Sequence, residues 1–350
     1  MIKYIGSKRT LVPAIVRVVH ALSATGPVVD LFSGTSRVGH GLKRAGYAVY
    51  ANDHNAYAET LATCYVVADR EEVGAAAEAL IAELNRLPGA PGYFTQTFCE
   101  ESRYFQPKNG ARIDAIREEI ARKDLEQPLR AVLLTALMEA ADRVDSTTGV
   151  QMAYLKDWAP RASNDLELRL PELLPRAAGG RGRATGLDAL DALGQLSGEV
   201  FYIDPPYNQH KYLGNYHIWE SLVRWDKPPA YGKARKRVDC QERSSVFNSR
   251  RFAAASLERV LHEADAPHLV VSFNNEGFFS REQIQAMLAP RGEVLVVEHD
   301  FQRYVGAKIG IYSPAGAKVG AISHVRNKEY LYVVSRDGDA LTRVRAELAT

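Results

Sequence analysis

The strongest pattern of apolar and polar positions is a series of short, nearly continuous apolar runs, each stopped by residues that cannot prolong a strand. Pro27–Phe32, Ala48–Asp53, Val200–Ile203, His268–Phe273, Val294–Glu298 and Tyr330–Val334 are such runs, rich in the β-branched and aromatic residues of buried strands. A weaker one spans Arg183–Asp188. Helical spacing appears around them. Leu11, Ile15, Val18 and Leu22 share one face, with Thr10 as the expected cap and Pro13 in the first turn. From residue 56 to 179 the pattern is helical: Glu71–Leu87 is alanine-rich, Asn109 is the expected cap of a helix bearing Ile113, Ile116 and Ile120, and Pro128 opens one bearing Leu129, Val132, Leu133, Ala136, Leu137 and Val144. Gly179-Gly180 marks the end of this stretch.

Strands separated by helices predict an α/β protein built on a mostly parallel sheet. The last two runs, joined by a loop, form a pair that can be antiparallel. The expected organisation is one discontinuous domain, residues 1–55 and 180–350, with residues 56–179 as a helical subdomain inserted between the second and third strands.

The chemistry collects where strands end. After Val200–Ile203 comes Asp204-Pro205-Pro206-Tyr207. Two prolines cannot continue a ladder, so a carboxylate, an exposed carbonyl and an aromatic ring stand just past a strand's C-terminal edge. Open α/β sheets bind ligands there. Asp204 and the Pro205 carbonyl can each accept a hydrogen bond from an exocyclic NH₂, holding its lone pair toward an electrophile, while Tyr207 can stack on the ring that carries it. A plain strand end with a proline turn is the competing reading. Upstream, Asp30-Leu31-Phe32-Ser33-Gly34-Thr35-Ser36-Arg37-Val38-Gly39 turns a strand into a helix, an arrangement that brings backbone N–H groups to a ligand. It is not a P-loop, because His40-Gly41 stands where Lys-Ser/Thr is required, and it lacks Gly-x-Gly-x-x-Gly. Asp53, at the tip of the second strand, suits a ribose diol or caps the next helix.

Composition narrows the field. The chain has 350 residues, 46% hydrophobic and 25% charged, with a net charge of +2, so any nucleic-acid contact must come from local patches. One such patch is residues 224–251, where Arg224, Lys227, Lys233, Arg235, Lys236, Arg237, Arg243, Arg250 and Arg251 face only Asp226, Asp239 and Glu242. With its prolines and glycine it reads as a mobile basic loop for DNA phosphates and base edges, against the alternative of an ordinary surface loop. A second run, Arg303–Lys328, contains no acid. Arg103, Lys108, Arg112, Lys156 and Arg161 in the helical stretch line DNA or form a solvated face. Cys64, Cys99 and Cys240 are too scattered for a disulfide framework or a zinc site, and no apolar run reaches membrane length. The expectation is a cytoplasmic protein without metal.

The Asp204-to-Tyr207 motif, the glycine turn and their order resemble the adenine-N6 DNA methyltransferases of the Dam-like, D12 class. The Tyr4-Ile5-Gly6-Ser7-Lys8 start and the long helical insertion are similar to the methyltransferases of FokI-type restriction-modification systems. Enzymes acting on cytosine N4 more often carry Ser in place of Asp204, and those acting on protein glutamine carry Asn. The resemblance implies a Rossmann-like sheet of seven strands, the last antiparallel, and S-adenosylmethionine as cofactor. It implies cofactor contacts from Tyr4, Lys8, Asp30, Phe32, Gly34, Asp53, Asp188 and Asp204, with Asp188 near the cofactor's adenine or simply capping a helix. Ser36 departs from the pattern, which often has a further glycine there. Methyl transfer to adenine in double-stranded DNA by base flipping follows, with Asp204, Pro205, Pro206 and Tyr207 catalytic and a cognate restriction endonuclease as a functional partner. The rivals are an RNA adenine methyltransferase and a DNA-binding protein that kept the fold without the reaction.

Overall fold

The computed structural model describes residues 1–23, 25–302, 311–312, 318–320 and 326–349, with the backbone alone for those between 300 and 327. In chain order the strands are β1 Val28–Asp30, β2 Val49–Asn52, β3 Arg183–Thr185, β4 Val200–Ile203, β5 Ala230–Tyr231, β6 Lys236–Arg237, β7 His268–Asn274, β8 Glu293–Gln302, β9 Ile311–Tyr312, β10 Lys318–Gly320 and β11 Arg326–Ser335. Seven of them form one sheet in the order β3-β2-β1-β4-β7-β11-β8. Pairing is parallel from β3 through β7, and β11 runs antiparallel to both β7 and β8. The mostly parallel sheet agrees with the strand pattern, and its seven strands with the last reversed are the Rossmann-like methyltransferase sheet that the resemblance implies.

Period-two alternation along the central strands builds a layer on each face. Val28, Val49, Val200, Tyr202 and Val270 point into a core with Ile15, Val18, Leu42 and Leu341, from helices Val12–Leu22, Arg37–Arg44 and Gly338–Ala349. Val29, Phe201, Ile203, Leu269 and Val271 point the other way, onto Leu257, Leu261 and Ile284 of helices Ala253–Glu263 and Arg281–Leu288. Between β2 and β3 the long helices are Arg70–Asn85, Pro107–Arg122 and Leu129–Arg143. They share a third core with Tyr57, Leu61, Trp219 and Leu222.

Because β2 and β3 lie to one side of β1 while β4 and β7 lie to the other, strand order reverses between β1 and β4. Asp30 and Tyr202 are partners across that seam. Their C-terminal ends therefore open a crevice at the topological switch point, where this architecture binds ligands.

Two expected caps are different in detail. Helix Val12–Leu22 starts after Leu11, and the Lys8 carbonyl, not the Thr10 side chain, receives the Leu11 and Val12 amides. Asn109 lies inside helix Pro107–Arg122, because Pro107 fits the first helical position. The Asn109 side chain instead donates to the Asn164 carbonyl at 2.8 Å and accepts from the Leu166 amide at 3.0 Å, tying a crossing segment to the helix. Residues 224–251 carry local structure, the β5–β6 hairpin and two short 3-10 turns, Val238–Cys240 and Val246–Asn248. The basic run Arg303–Lys328 falls largely outside the described residues.

Candidate active site

A cleft open to solvent lies over the C-terminal ends of β1, β2 and β4. Its walls bring together Tyr4, Lys8, Asp30, Phe32, Gly34, Asp53, Asp188, Asp204 and Pro206, distant in sequence and all singled out by it. Tyr207 touches two of these wall residues, Lys8 and Asp204, through its hydroxyl.

The glycine turn is shaped by backbone conformation. Gly34 has φ 50° and Ser36, just before helix Arg37–Arg44, has φ 55°. Both values lie in the left-handed region, where a side chain is strained, which explains why glycine suits position 36 and why Ser36 is a departure. Gly34 also lies against the Tyr4 ring, whose Cε1 is 3.4 Å from where a Cβ would stand. The Gly34 amide donates to Asp53 Oδ2 at 3.0 Å, and Asp53 Oδ1 accepts from the Asn55 amide at 3.0 Å. Asp53 thus fixes the turn and the start of the next helix while one edge faces the cleft. Phe32 packs edge-on against Phe247. Asp188 lines the cleft and also caps helix Ala189–Ala192 by accepting from the Leu190 amide at 3.0 Å.

Asp30 is the most exposed to electrostatic penalty. It is 1% exposed, and although the Gly39 amide faces it, neither carboxylate oxygen receives a hydrogen bond of normal geometry. Burial, then the nearby charges of Asp204 and Asp53, pushes its pKa up to about 8. Ser7, Ser33 and Asn55, all in the same walls, also carry buried oxygen atoms without partners. Buried polar atoms are almost always paired, so this concentration marks a surface shaped for something else.

On the β4 side, Asp204 is part of a buried ionic cluster. Lys8, 6% exposed, places its Nζ 3.1 Å from Asp204 Oδ1, 2.9 Å from Glu329 Oε1 and 2.6 Å from the Tyr207 hydroxyl. Tyr207 Oη also meets Asp204 Oδ1 and lies 2.8 Å from Glu329 Oε1. Burial raises the Asp204 pKa to about 6, with Lys8 opposing and Glu329 adding to the rise. Lys8 is held well above the ordinary lysine range by the two carboxylates, despite burial. The Tyr207 carbonyl accepts from the Phe278 amide at 2.9 Å, and Asn248 Nδ2 donates to the Asn208 carbonyl at 2.8 Å, so the chain is pinned where it leaves the motif.

The sequence drew attention to Lys8 for its distance from Tyr4, but the partner it finds is Asp204. Glu329, Ser272 and Tyr212 were not foreseen. The only available signal was a serine inside the apolar run of β7 and an acid at the head of β11. Tyr212 and Tyr216 sandwich Tyr4, with ring centroids 5.3 and 4.4 Å away. Among the described residues, no group of three or more His, Cys, Asp or Glu is arranged to hold a metal ion.

The basic segment is redistributed by the fold. Arg237, 2% exposed, grips Asp226 at 2.7 Å and Asp239 at 3.0 Å. Arg243 binds the buried Glu220 at 2.7 Å, Lys227 binds Glu118 at 2.6 Å, Arg224 lies 3.2 Å from Asp226, and Arg235 pairs with Glu101. Lys233, Lys236, Arg250 and Arg251 have no ion-pair partner among the described residues. Arg237 and Arg243 therefore act as internal staples, since a buried guanidinium separated from its carboxylates would be strongly destabilising.

A doubly wound sheet with a ligand cleft at its switch point and an Asp-Pro-Pro-Tyr tip defines a methyltransferase-type protein. Residues 4–275 match the family model described as D12 class N6 adenine-specific DNA methyltransferase, and the chain belongs to that family. It is an adenine-specific DNA methyltransferase. It is 30% identical to the Type II methyltransferase M.NlaIII of Neisseria lactamica over 80% of this chain and 84% of that protein. It is 28% identical to the modification methylase StsI of Streptococcus sanguinis and to the Type II methyltransferase M.FokI of Planomicrobium okeanokoites, over 82% and 83% of this chain. The matches cover only 46% and 47% of those two proteins. Among the described residues no helix is long and apolar enough to cross a membrane.

Proposed function

We propose that the cleft holds S-adenosylmethionine against the glycine turn and receives a flipped adenine at Asp204, Pro205, Pro206 and Tyr207. The observation that carries this reading is a buried, unpartnered acid, Asp30, at the β1 tip, held across the β1–β4 seam within electrostatic reach of the motif's acid, Asp204. A ligand bearing a sulfonium and an ammonium would give Asp30 the positive neighbour it lacks. Hydroxyl groups would find the unpartnered oxygens of Ser7, Ser33 and Asn55. On this reading Asp53 takes the ribose, Asp188 lies by the cofactor's adenine, and Phe32 and Tyr4 close over it.

When bound, the cofactor supplies an electrophilic methyl group whose bonding electron pair stays with sulfur. The chain's own residues hold the nucleophile. N6 of a paired adenine is inaccessible, so the base must leave the stack. Asp204 and the Pro205 carbonyl accept the two N6 hydrogens, which keeps the lone pair pointed at the methyl carbon, and Tyr207 supports the ring. Alignment and the carboxylate's charge do the work as N6 becomes cationic, before it sheds a proton. The Asp204 pKa of about 6 leaves this acid ionised, and so an acceptor, at neutral pH.

Double-stranded DNA would lie across the cleft mouth, met by Lys233, Lys236, Arg250 and Arg251. The names carried by the similar proteins favour a place in a restriction-modification system, where a nuclease reading the same site would be the functional partner. The three cysteines are free and buried, which suits a reducing cytoplasm. We also read residues 56–179 as a helical unit beside the catalytic one.

The direct test offers methyl-labelled S-adenosylmethionine with duplex DNA of mixed sequence and with RNA. Label is expected in N6-methyl-2′-deoxyadenosine from the DNA alone. Label in RNA, or in no nucleoside despite DNA binding, would remove this reading. A second test addresses the DNA face. Each cation on a phosphate contributes about 0.9 to the slope of log affinity against log salt. Replacing Lys233, Arg250 and Arg251 with alanine should flatten that slope by up to roughly 3, with cofactor binding intact. An unaltered slope would move the phosphate contacts elsewhere.

A further inference from the structure

We propose that Glu329, on β11, is a positioning residue for methyl transfer: together with Lys8 it holds Tyr207 and the Asp204 carboxylate in the geometry that meets the base. This rests on the reading of Asp204 as the acceptor for N6. Glu329 stands 122 residues beyond Tyr207, the last residue of the motif, and reaches the site because β11 inserts between β7 and β8, placing it opposite Asn274 at the tip of β7.

One oxygen of Glu329 gathers three groups: Lys8 Nζ at 2.9 Å, the Tyr207 hydroxyl at 2.8 Å and the Ser272 hydroxyl at 2.8 Å. Lys8 then spans to Asp204 at 3.1 Å. Two carboxylates thus share one ammonium in a buried setting, leaving the trio with one net negative charge. Asp204 and Lys8 alone would be neutral, with little left over to favour a cationic N6. With Glu329 and no Lys8, the two acids would oppose each other's ionisation. The other titratable groups around Asp204 are Asp30 from β1, Tyr202 from β4, Tyr207 from its own loop and Tyr212 from the short helix Tyr212–Asn215. All of these are acids, so Lys8 is the single cation in direct contact with Asp204 among the described residues. Glu329 also faces His299 of β8 across the ladder, an imidazole pushed below its ordinary range by burial.

The inference makes a prediction of opposite signs. Glu329→Gln removes a negative neighbour, so Asp204 should ionise more easily and the acid limb of the pH–rate profile should move to lower pH. Lys8→Met removes the positive neighbour, and its acid limb should move to higher pH. At neutral pH, Glu329→Gln should lower the single-turnover methyl-transfer rate roughly 10- to 100-fold, the range for losing a hydrogen bond to a charged group, with cofactor affinity unchanged. Glu329→Asp keeps the charge but shortens the reach, so it should slow transfer without moving the limb. A carboxyl-carbon NMR titration of Asp204 in the unliganded protein reads the same two shifts without DNA or cofactor. It decides the inference even if no DNA is methylated, an outcome that would instead count against the proposed function. Wild-type rate in Glu329→Gln, or limbs that stay put or move together, would overturn the inference.

Discussion

Asp204→Ala should fold normally, bind cofactor and DNA, and transfer methyl groups at least about 10²–10³ times more slowly, the range for deleting one preorganised hydrogen-bonding group at a developing charge. Retention of the fold follows from the surroundings. Lys8 loses one of its two carboxylates but keeps Glu329 at 2.9 Å, so no buried ammonium is left alone. The substitution also deletes an acid whose pKa is raised to about 6 mainly by burial, a group that is unfavourable in the fold when ionised. Thermal stability at neutral pH should therefore hold or rise as the rate falls. Tyr207 separates two contributions at the same tip. Tyr207→Phe keeps the ring for stacking but withdraws its hydroxyl from Lys8 and Glu329, so its rate should lie between those of wild type and Asp204→Ala. Single-turnover assays beside melting curves check all of this. Near-wild-type transfer by Asp204→Ala would refute the mechanism.

What could be read along the chain was what depends on near neighbours. The strands, the glycine turn and the Asp-Pro-Pro-Tyr tip are set by contiguous residues, and the sheet followed from their order. The strand tips Asp30, Asp53 and Asp204 could be placed on one edge because parallel strands point their C-terminal ends the same way. What stayed hidden depends on which distant elements become neighbours. Glu329 heads an apolar run and looks like a solvated acid until β11 enters the sheet beside β7. The cations of residues 224–251 read as surplus because their partners Glu101, Glu118 and Glu220 lie upstream. A local charge count cannot see a long-range ion pair. Asn109 has the chemistry of a cap, but Pro107 had already set the helix start, which left its amide free to hold a crossing segment. In each case local chemistry identified the capability and tertiary structure chose its use.

Asp30→Asn should stabilise the unliganded protein while crippling cofactor binding, and pH exposes the reason. In an unfolded chain an aspartate titrates near 3.9; in the fold Asp30 titrates at about 8. A raised folded pKa means that Asp30's contribution to stability is fully present below the unfolded value and is lost as pH rises from about 4 through about 8. Asparagine does not titrate, so the two proteins should be similar near pH 4, and the variant should pull ahead as pH rises. A shift of several units at 1.36 kcal/mol each sets an upper bound of roughly 5 kcal/mol, and relaxation around a real site should leave about 2–4 kcal/mol at pH 8. Saturating S-adenosylmethionine should reverse the ranking. On the proposed reading it would give the wild-type carboxylate a positive partner, and ligand that binds only the folded state stabilises by mass action. Binding to wild type at pH 7 should then release close to one proton, visible in calorimetry as a dependence of the heat on the buffer's ionisation enthalpy. The variant should bind weakly and release none. Unfolding curves at pH 4.5 and 8, with and without cofactor, carry the decision. If Asp30→Asn binds cofactor as wild type does with the same proton count, Asp30 is not the group that meets the ligand's charge, and its unpaired burial at the β1 tip would need another cause.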